Sequence, residues 1–202
     1  MGRPSALQHE RDLVARARGD PEAFRRLYRH YFPRVYAYIG YRVGREQDTE
    51  DLTAETFLKA MEGLSGFRWR GEGSFAAWLF RIAHNLVSNF YRAGQKALEP
   101  IPPEALPDLQ SLDGLPADAL ARKELLANLR RLIGTLSPRQ QEIVTLRFFA
   151  GLRNQEIAAL LELDERTVSA YLSRGVRRLQ SRYEEMTAET PMNLTEPEVS
   201  RG

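Results

Sequence analysis

Apolar residues recur along this chain at spacings of three and four, the period of an α-helix, and hardly anywhere at the period of a strand. Asp20-Pro21 reads as a helix start, because Asp accepts hydrogen bonds from free N–H groups and Pro tolerates the first turn. Phe24, Leu27, Tyr28, Tyr31, Val35 and Tyr38 follow at helical spacing, and Pro33 within that run predicts one interruption. A second helix is expected to start at Asp48 in "DTEDL", whose acids suit a helix N-terminus. It carries Leu52, Thr56, Leu58, Lys59 and Met61 before Gly63 closes it. The loop "LSGFRWRGEGS" then leads to a third helix, "FAAWLFRIAHNLVSNFYRA", with Phe75, Leu79, Ile82, Leu86 and Phe90 as its apolar stripe.

Between Gly94 and Ala117 the periodicity stops. Pro100, Pro102, Pro103, Pro107 and Pro116 block helix and sheet alike, and Glu99, Glu104, Asp108 and Asp113 make the stretch acidic. An extended tether is expected there. Helices resume near Asp118, and "SPRQ" offers a capping box with Ser137 as cap, Pro138 in the first turn and Gln140 reaching back. The text after Tyr183 is polar, acidic and expected to be mobile. The organisation read from the chain is all-α: a helical domain over 1–96, an acidic Pro-rich linker over 97–117, a second helical domain over 118–183 and a tail over 184–202.

The stretch "NQEIAALLELDERTVSAYLSRGVRRLQSRY" is the most informative. Ile157, Ala158, Leu160 and Leu161 build the inner face of a short helix, Asp164 can cap the next, and Val168, Leu172, Val176 and Leu179 form that helix's buried stripe. A small residue at a close crossing followed by such a turn is helix-turn-helix spacing. Glu162 occupies the turn where glycine would adopt positive φ most easily, at a cost near 1 kcal/mol. Arg166, Thr167, Ser169, Ser173, Arg174, Arg177 and Arg178 lie on the outward side, with Arg182 beyond them. Such side chains bond to phosphates and base edges, and Arg matches guanine bidentately in the major groove. A solvated charged face is the alternative for an isolated Arg-rich helix. A capped helix-turn-helix argues against it.

Composition narrows the field further. The chain has 202 residues and a net charge of only +2, so its basic character is local rather than global. With no cysteine it has no disulfide framework or thiolate metal site, and His9, His30 and His84 lie too far apart for zinc spacing. The charged start carries no secretory signal, and no run of about 18 apolar residues offers a membrane span. A soluble, cytoplasmic chain is expected. No nucleophile elbow, phosphate loop or pair of catalytic carboxylates stands out, so neither catalysis nor a cofactor is expected.

"TLSPRQQEIVTLRFFAGLRNQEIAALLELDERTVSAYLSRGVRRL" resembles region 4 of bacterial RNA polymerase sigma factors, which reads the promoter −35 element. The N-terminal half resembles region 2 of the same family, and the order with a short linker resembles the extracytoplasmic-function (ECF) subgroup. The resemblance implies that "EDLTAETFLKAMEGL" docks on the clamp coiled coil of core polymerase through Asp51, Glu55, Phe57 and Met61, and that region 4 meets the flap. It also implies an anti-sigma factor as a partner. Promoter DNA is the other partner: the loop and third helix would recognise and melt the −10 element through Phe67, Arg68, Trp69, Arg70, Phe75, Trp78, Arg81, Asn85 and Arg92. Leu79 stands where primary sigma factors carry a second tryptophan, which implies weak melting. Arg153 stands where the family often has a capping serine, leaving Asn154 as the expected cap.

Physical chemistry supports the −10 assignment. Unpaired bases need a better place than the stack, and aromatic faces supply about 1–3 kcal/mol per base. By its register, Phe75 fits the core as well as it fits a base-stacking site. The roughly 24 residues from Gly94 to Ala117, at about 3.3 Å each, can extend about 80 Å, against about 70 Å for two turns of DNA. Two other readings stay open at this point. A response-regulator output domain shares the helix-turn-helix text but needs an α/β receiver upstream. A helical interaction protein that binds no DNA explains the amphipathic helices but not the Arg face.

Overall fold

Asp20 opens a long helix in the computed structural model, its carboxylate accepting the Glu22 backbone N–H at 2.9 Å. The Arg16 guanidinium donates to the same carboxylate and draws it below its ordinary pKa. The structure describes residues 9–43, 45–71, 73–93, 128–129 and 131–188. In chain order the helices are α1 (Glu10–Arg16), α2 (Pro21–Val43) and α3 (Glu46–Gly63), then a 3-10 turn (Leu64–Gly66) and α4 (Ser74–Arg92). Helical residues 131–134 lead into α5 (Pro138–Phe148), α6 (Asn154–Leu161) and α7 (Glu165–Ala188). The fold is all-α, with no strand among the described residues.

Three expectations need correction. α2 passes straight through Pro33. The proline removes one backbone donor, typically costing about 3 kcal/mol in a helix interior, but Tyr31, Val35, Tyr36, Ala37, Tyr38 and Ile39 around it are all buried and outweigh that loss. α3 begins at Glu46 rather than Asp48, because Glu46 and Asp48 both serve its first turn and Arg45 pairs with Asp48 at 3.3 Å. α7 runs past Tyr183 to Ala188. The expected linker over 97–117, the helix start near Asp118 and the end of the tail lie outside the described residues.

α1–α4 form one bundle, with Leu27, Tyr38, Ile39, Phe75, Leu79 and Phe80 almost wholly buried. α5–α7 form the second group around Ile143, Leu146, Leu152, Ile157 and Val168. The Ser137 capping box forms as expected: Ser137 Oγ accepts the Gln140 N–H at 3.4 Å, and Gln140 Oε1 accepts the Ser137 N–H at 3.1 Å. The two groups do not hang apart. One apolar cluster runs from Leu13 through Val87 to Val168, α4 packs on α6, and Tyr41 of α2 packs against Ile133, Leu136 and Val144.

Candidate nucleic-acid interface

The C-terminal site is built on a helix-turn-helix. α6 ends at Glu162 in the left-handed conformation, φ 56°, as the sequence suggested. Asp164 then caps α7, its Oδ1 accepting the Thr167 N–H at 2.7 Å, and these bonds hold its pKa below the ordinary value. Thr167 also donates its hydroxyl to Asp164, so that side chain serves the cap rather than the open surface. Arg166, Ser173, Arg174, Arg177 and Arg178 are exposed along α7. The Arg174 guanidinium lies 5.0 Å over the Tyr171 ring, an arrangement that pre-orders the long side chain. Arg182 pairs with Glu185 at 2.7 Å, which leaves less of its charge for a polyanion.

Asn154 is not the cap of α6. Arg153 holds that position, and having no acceptor it cannot cap by itself; Glu156 accepts its N–H at 2.7 Å and its guanidinium at 2.7 Å instead. Asn154 turns the other way and donates to Ser169 Oγ at 3.0 Å, fastening half-buried Ser169 to the preceding helix. Gly175 was also missed. A Cβ there would lie 3.2 Å from Val144 Cγ2, so the glycine lets α7 cross α5 closely. A lone glycine inside a helical run was the signal that could have shown this.

At the N-terminal site the aromatic residues divide. Phe67 is 6% exposed and Phe75 1%, so both belong to the core and neither can stack on a base as expected. They pack edge to face at 5.7 Å, and Trp78 closes the cluster at 5.0 Å from Phe67. Trp69 and Trp78 remain half-exposed. Arg68, Arg70, Arg81, Asn85 and Arg92 are exposed around them. Trp78 and Asn85 line a groove of about 390 Å³ with Lys59, Gly63, Ile82 and Asn89, so Lys59 and Asn89 join the site unpredicted. Arg18 was missed as well: it crosses from the end of α1 to donate to the Phe67 carbonyl at 2.7 Å, pinning the loop. Gly73, at φ 80°, supplies the left-handed turn into α4.

On α3 the acids Asp51 and Glu55 are exposed, Glu55 pairing with Lys59 at 3.3 Å. Met61 is exposed as expected, and Leu58 beside it was not anticipated as a contact. Phe57 is corrected to the core: its ring lies 4.6 Å from Tyr28 and it is 6% exposed. An apolar residue on a docking helix is ambiguous by sequence, because the same residue type serves the bundle and a partner.

Comparison with known proteins agrees with this geometry. Residues 27–97 match the Sigma-70 region 2 family and residues 126–179 match Sigma-70, region 4. The ECF RNA polymerase sigma factor BldN of Streptomyces coelicolor is 40% identical over 83% of this chain and 63% of its own length. RNA polymerase sigma-H factor of Pseudomonas aeruginosa is 30% identical over 83% of this chain and 90% of its own. In fold, the chain is similar to CnrH, solved in complex with the cytosolic domain of CnrY, with TM-score 0.62 at 24% identity over 88% of this chain and 99% of that one. This chain spans just under two thirds of the BldN factor. It belongs to the ECF group of the sigma-70 family of RNA polymerase sigma factors.

Proposed function

We propose that this chain binds core RNA polymerase and directs it to promoters, with α7 reading the −35 element and the 67–73 loop with α4 capturing the −10 element. The observation that carries the reading is the exposed row Arg166, Arg174, Arg177 and Arg178 on a capped recognition helix, in the same chain as Trp69 and Trp78 set among arginines. Positive charge on one helix face finds phosphates, and half-exposed tryptophans offer faces to unstacked bases. Asp51, Glu55, Met61 and Leu58 form the polymerase-docking face of α3. The chain acts by binding rather than catalysis, in the cytoplasm where core polymerase works. A complex of RpoE with the anti-sigma factor NepR from Bartonella quintana supports an anti-sigma factor as a further partner here.

In vitro transcription with core polymerase on a library of randomised promoters tests the whole reading. Enrichment of two sequence blocks is expected, and an even spread of transcripts would sink it. Asp51 and Glu55 changed together to Lys should abolish association with core enzyme while circular dichroism stays unchanged. Normal co-purification of that double variant with core would remove α3 from the docking face.

A further inference from the structure

The loop that carries Trp69 is fastened on both sides of that tryptophan, and one fastening comes from a distant part of the chain. Arg18, at the end of α1, donates to the Phe67 carbonyl at 2.7 Å across 49 positions of sequence. Beyond Trp69, the Arg70 N–H donates to Ser74 Oγ at 3.2 Å, and the Ser74 N–H reaches the Gly71 carbonyl at 3.1 Å. The first bond fixes the peptide group that leaves Phe67, and the second fixes the one that leaves Trp69. Only the backbone dihedrals of Arg68 and Trp69 lie between those two planes. The indole is thus aimed by its anchors rather than by its own packing, since Trp69 stays half-exposed.

Local pairing directs Arg18 to the loop. The acid nearest to it in sequence, Asp20, is engaged by Arg16 at 2.7 Å and by the Glu22 N–H at 2.9 Å. The base of the strut is firm: Leu13 and Val14 are buried, and Glu10 accepts the Tyr31 hydroxyl. The Tyr31 ring lies 5.3 Å from Phe75, which packs on Phe67 at 5.7 Å. α1 therefore bears on Phe67 twice, through rings inside the bundle and through Arg18 outside it. Both α1 and Arg18 precede residue 27, where the match to Sigma-70 region 2 begins. Core packing already locks the Phe67 ring, so the net worth of the extra bond to the fold is modest. What the bond sets is the direction of the chain toward Trp69. We propose that Arg18 is a positioning residue of the −10 site, holding 67–71 so that Trp69 offers its face to an unpaired base.

This assignment rests on the promoter reading above; the anchor itself does not. A site built on a loop holds its geometry only as well as its supporting contacts do. With the Phe67 end released, binding a base would also have to order the loop, and that entropy opposes capture. Base preference at the −10 element then falls although no group touching DNA has been removed. A direct phosphate contact by Arg18 would behave differently. Its loss would weaken binding to all sequences alike and reduce the salt slope by about one. A positioning role leaves that slope unchanged.

The chain has only two tryptophans, so fluorine NMR of the full chain carrying 5-fluorotryptophan gives one resonance for each. Trp69→Phe assigns them. Arg18→Ala should move or broaden the Trp69 resonance, leave that of Trp78 in place and keep the helicity unchanged. In transcription with core polymerase from promoters varied at −10, the same variant should lose about fivefold in preference for the favoured base. That is the low end of what one stacked base supplies. Preference at −35 and the salt slope should not change. Arg18→Lys keeps the charge and a donor, and should recover the resonance and the preference together. An unmoved Trp69 resonance in Arg18→Ala overturns the proposal. So does a reduced salt slope, or a preference that Lys restores without the resonance. If the resonance moves but Trp69→Ala itself leaves promoter opening unaltered, the anchor stands while the −10 reading, and this assignment with it, falls. If Trp69→Ala impairs opening and Arg18→Ala leaves preference intact, the promoter reading stands and Arg18 is no part of it.

Discussion

The two candidate sites differ in how sequence maps onto surface. On α7 the arginines Arg166, Arg174, Arg177 and Arg178 are exposed as their pattern implied. Around α4, Phe67 and Phe75 are buried, while Trp69 and Trp78 are only half so. Charge resolves the first case: an unpaired guanidinium is too costly to bury, so an arginine outside the apolar stripe faces solvent unless another helix supplies acceptors, as it does for Arg34 and Arg42. Aromatic character resolves nothing, because core packing and base stacking reward the same ring. A polar site is therefore legible from one sequence, whereas an aromatic one needs the backbone.

The sharpest break of that comparison is Phe75→Ala. A ring 1% exposed should cost about 3–5 kcal/mol in urea unfolding; a loss of promoter opening with unchanged stability would return Phe75 to the DNA side. Trp69→Ala should weaken opening by about 1–3 kcal/mol on duplex promoters and less on a template already mismatched at −10. Permanganate footprinting on both templates measures this, and equal losses would mean that Trp69 only supports the fold. Arg174→Ala and Arg177→Ala should change stability by less than about 0.5 kcal/mol, yet for the base-reading residue cost about 1–3 kcal/mol of −35 binding and relax preference at one position. Unaltered preference in both would leave α7 a solvated face. Glu162→Gly should stabilise by no more than about 1 kcal/mol, since it relieves left-handed strain but loosens the unfolded chain. A clear loss in thermal melting would contradict this.

The smallest effect is one of pH, and it belongs to the N-terminal group. Burial first, and Arg34 second, lower the His30 pKa from 6.5 to about 4. A base whose folded pKa is depressed binds its proton more readily when unfolded. Its share of stability is therefore intact above about pH 6.5 and is lost gradually as pH falls toward 4. Both tryptophans, Trp69 and Trp78, lie in this group, so intrinsic fluorescence reports its unfolding. His30→Gln should flatten the acid limb of midpoint against pH, and an unchanged limb would assign it to other groups.

Helix period alone located most of α2, α4, α6 and α7, and the caps at Asp20, Ser137 and Asp164 form as their chemistry demanded. The passage through Pro33 was not legible, because its local cost is visible in sequence and the tertiary burial that offsets it is not. Nor was the meeting of the two helix groups. Arg34, Arg42 and Glu142 look like ordinary surface charges until distant helices bring them within 3.0 Å of their partners. Asn154 offered a short polar side chain at a helix start, and sequence could not distinguish capping from its bond to Ser169.

The Gly175 crossing makes α7 a lever. Gly175 bears on Val144, and Thr167 lies about 12 Å away along the helix at about 1.5 Å per residue. A methyl group added at Gly175 must push its neighbour back by a few tenths of an ångström. Over that arm the rotation is about a degree or two, which shifts the Arg166 end of α7 by about 0.2–0.4 Å, close to the half-ångström tolerance of a bidentate contact. The outward face of α7 can thus be re-aimed by a side chain on its opposite, buried side, acting as a shim under the helix.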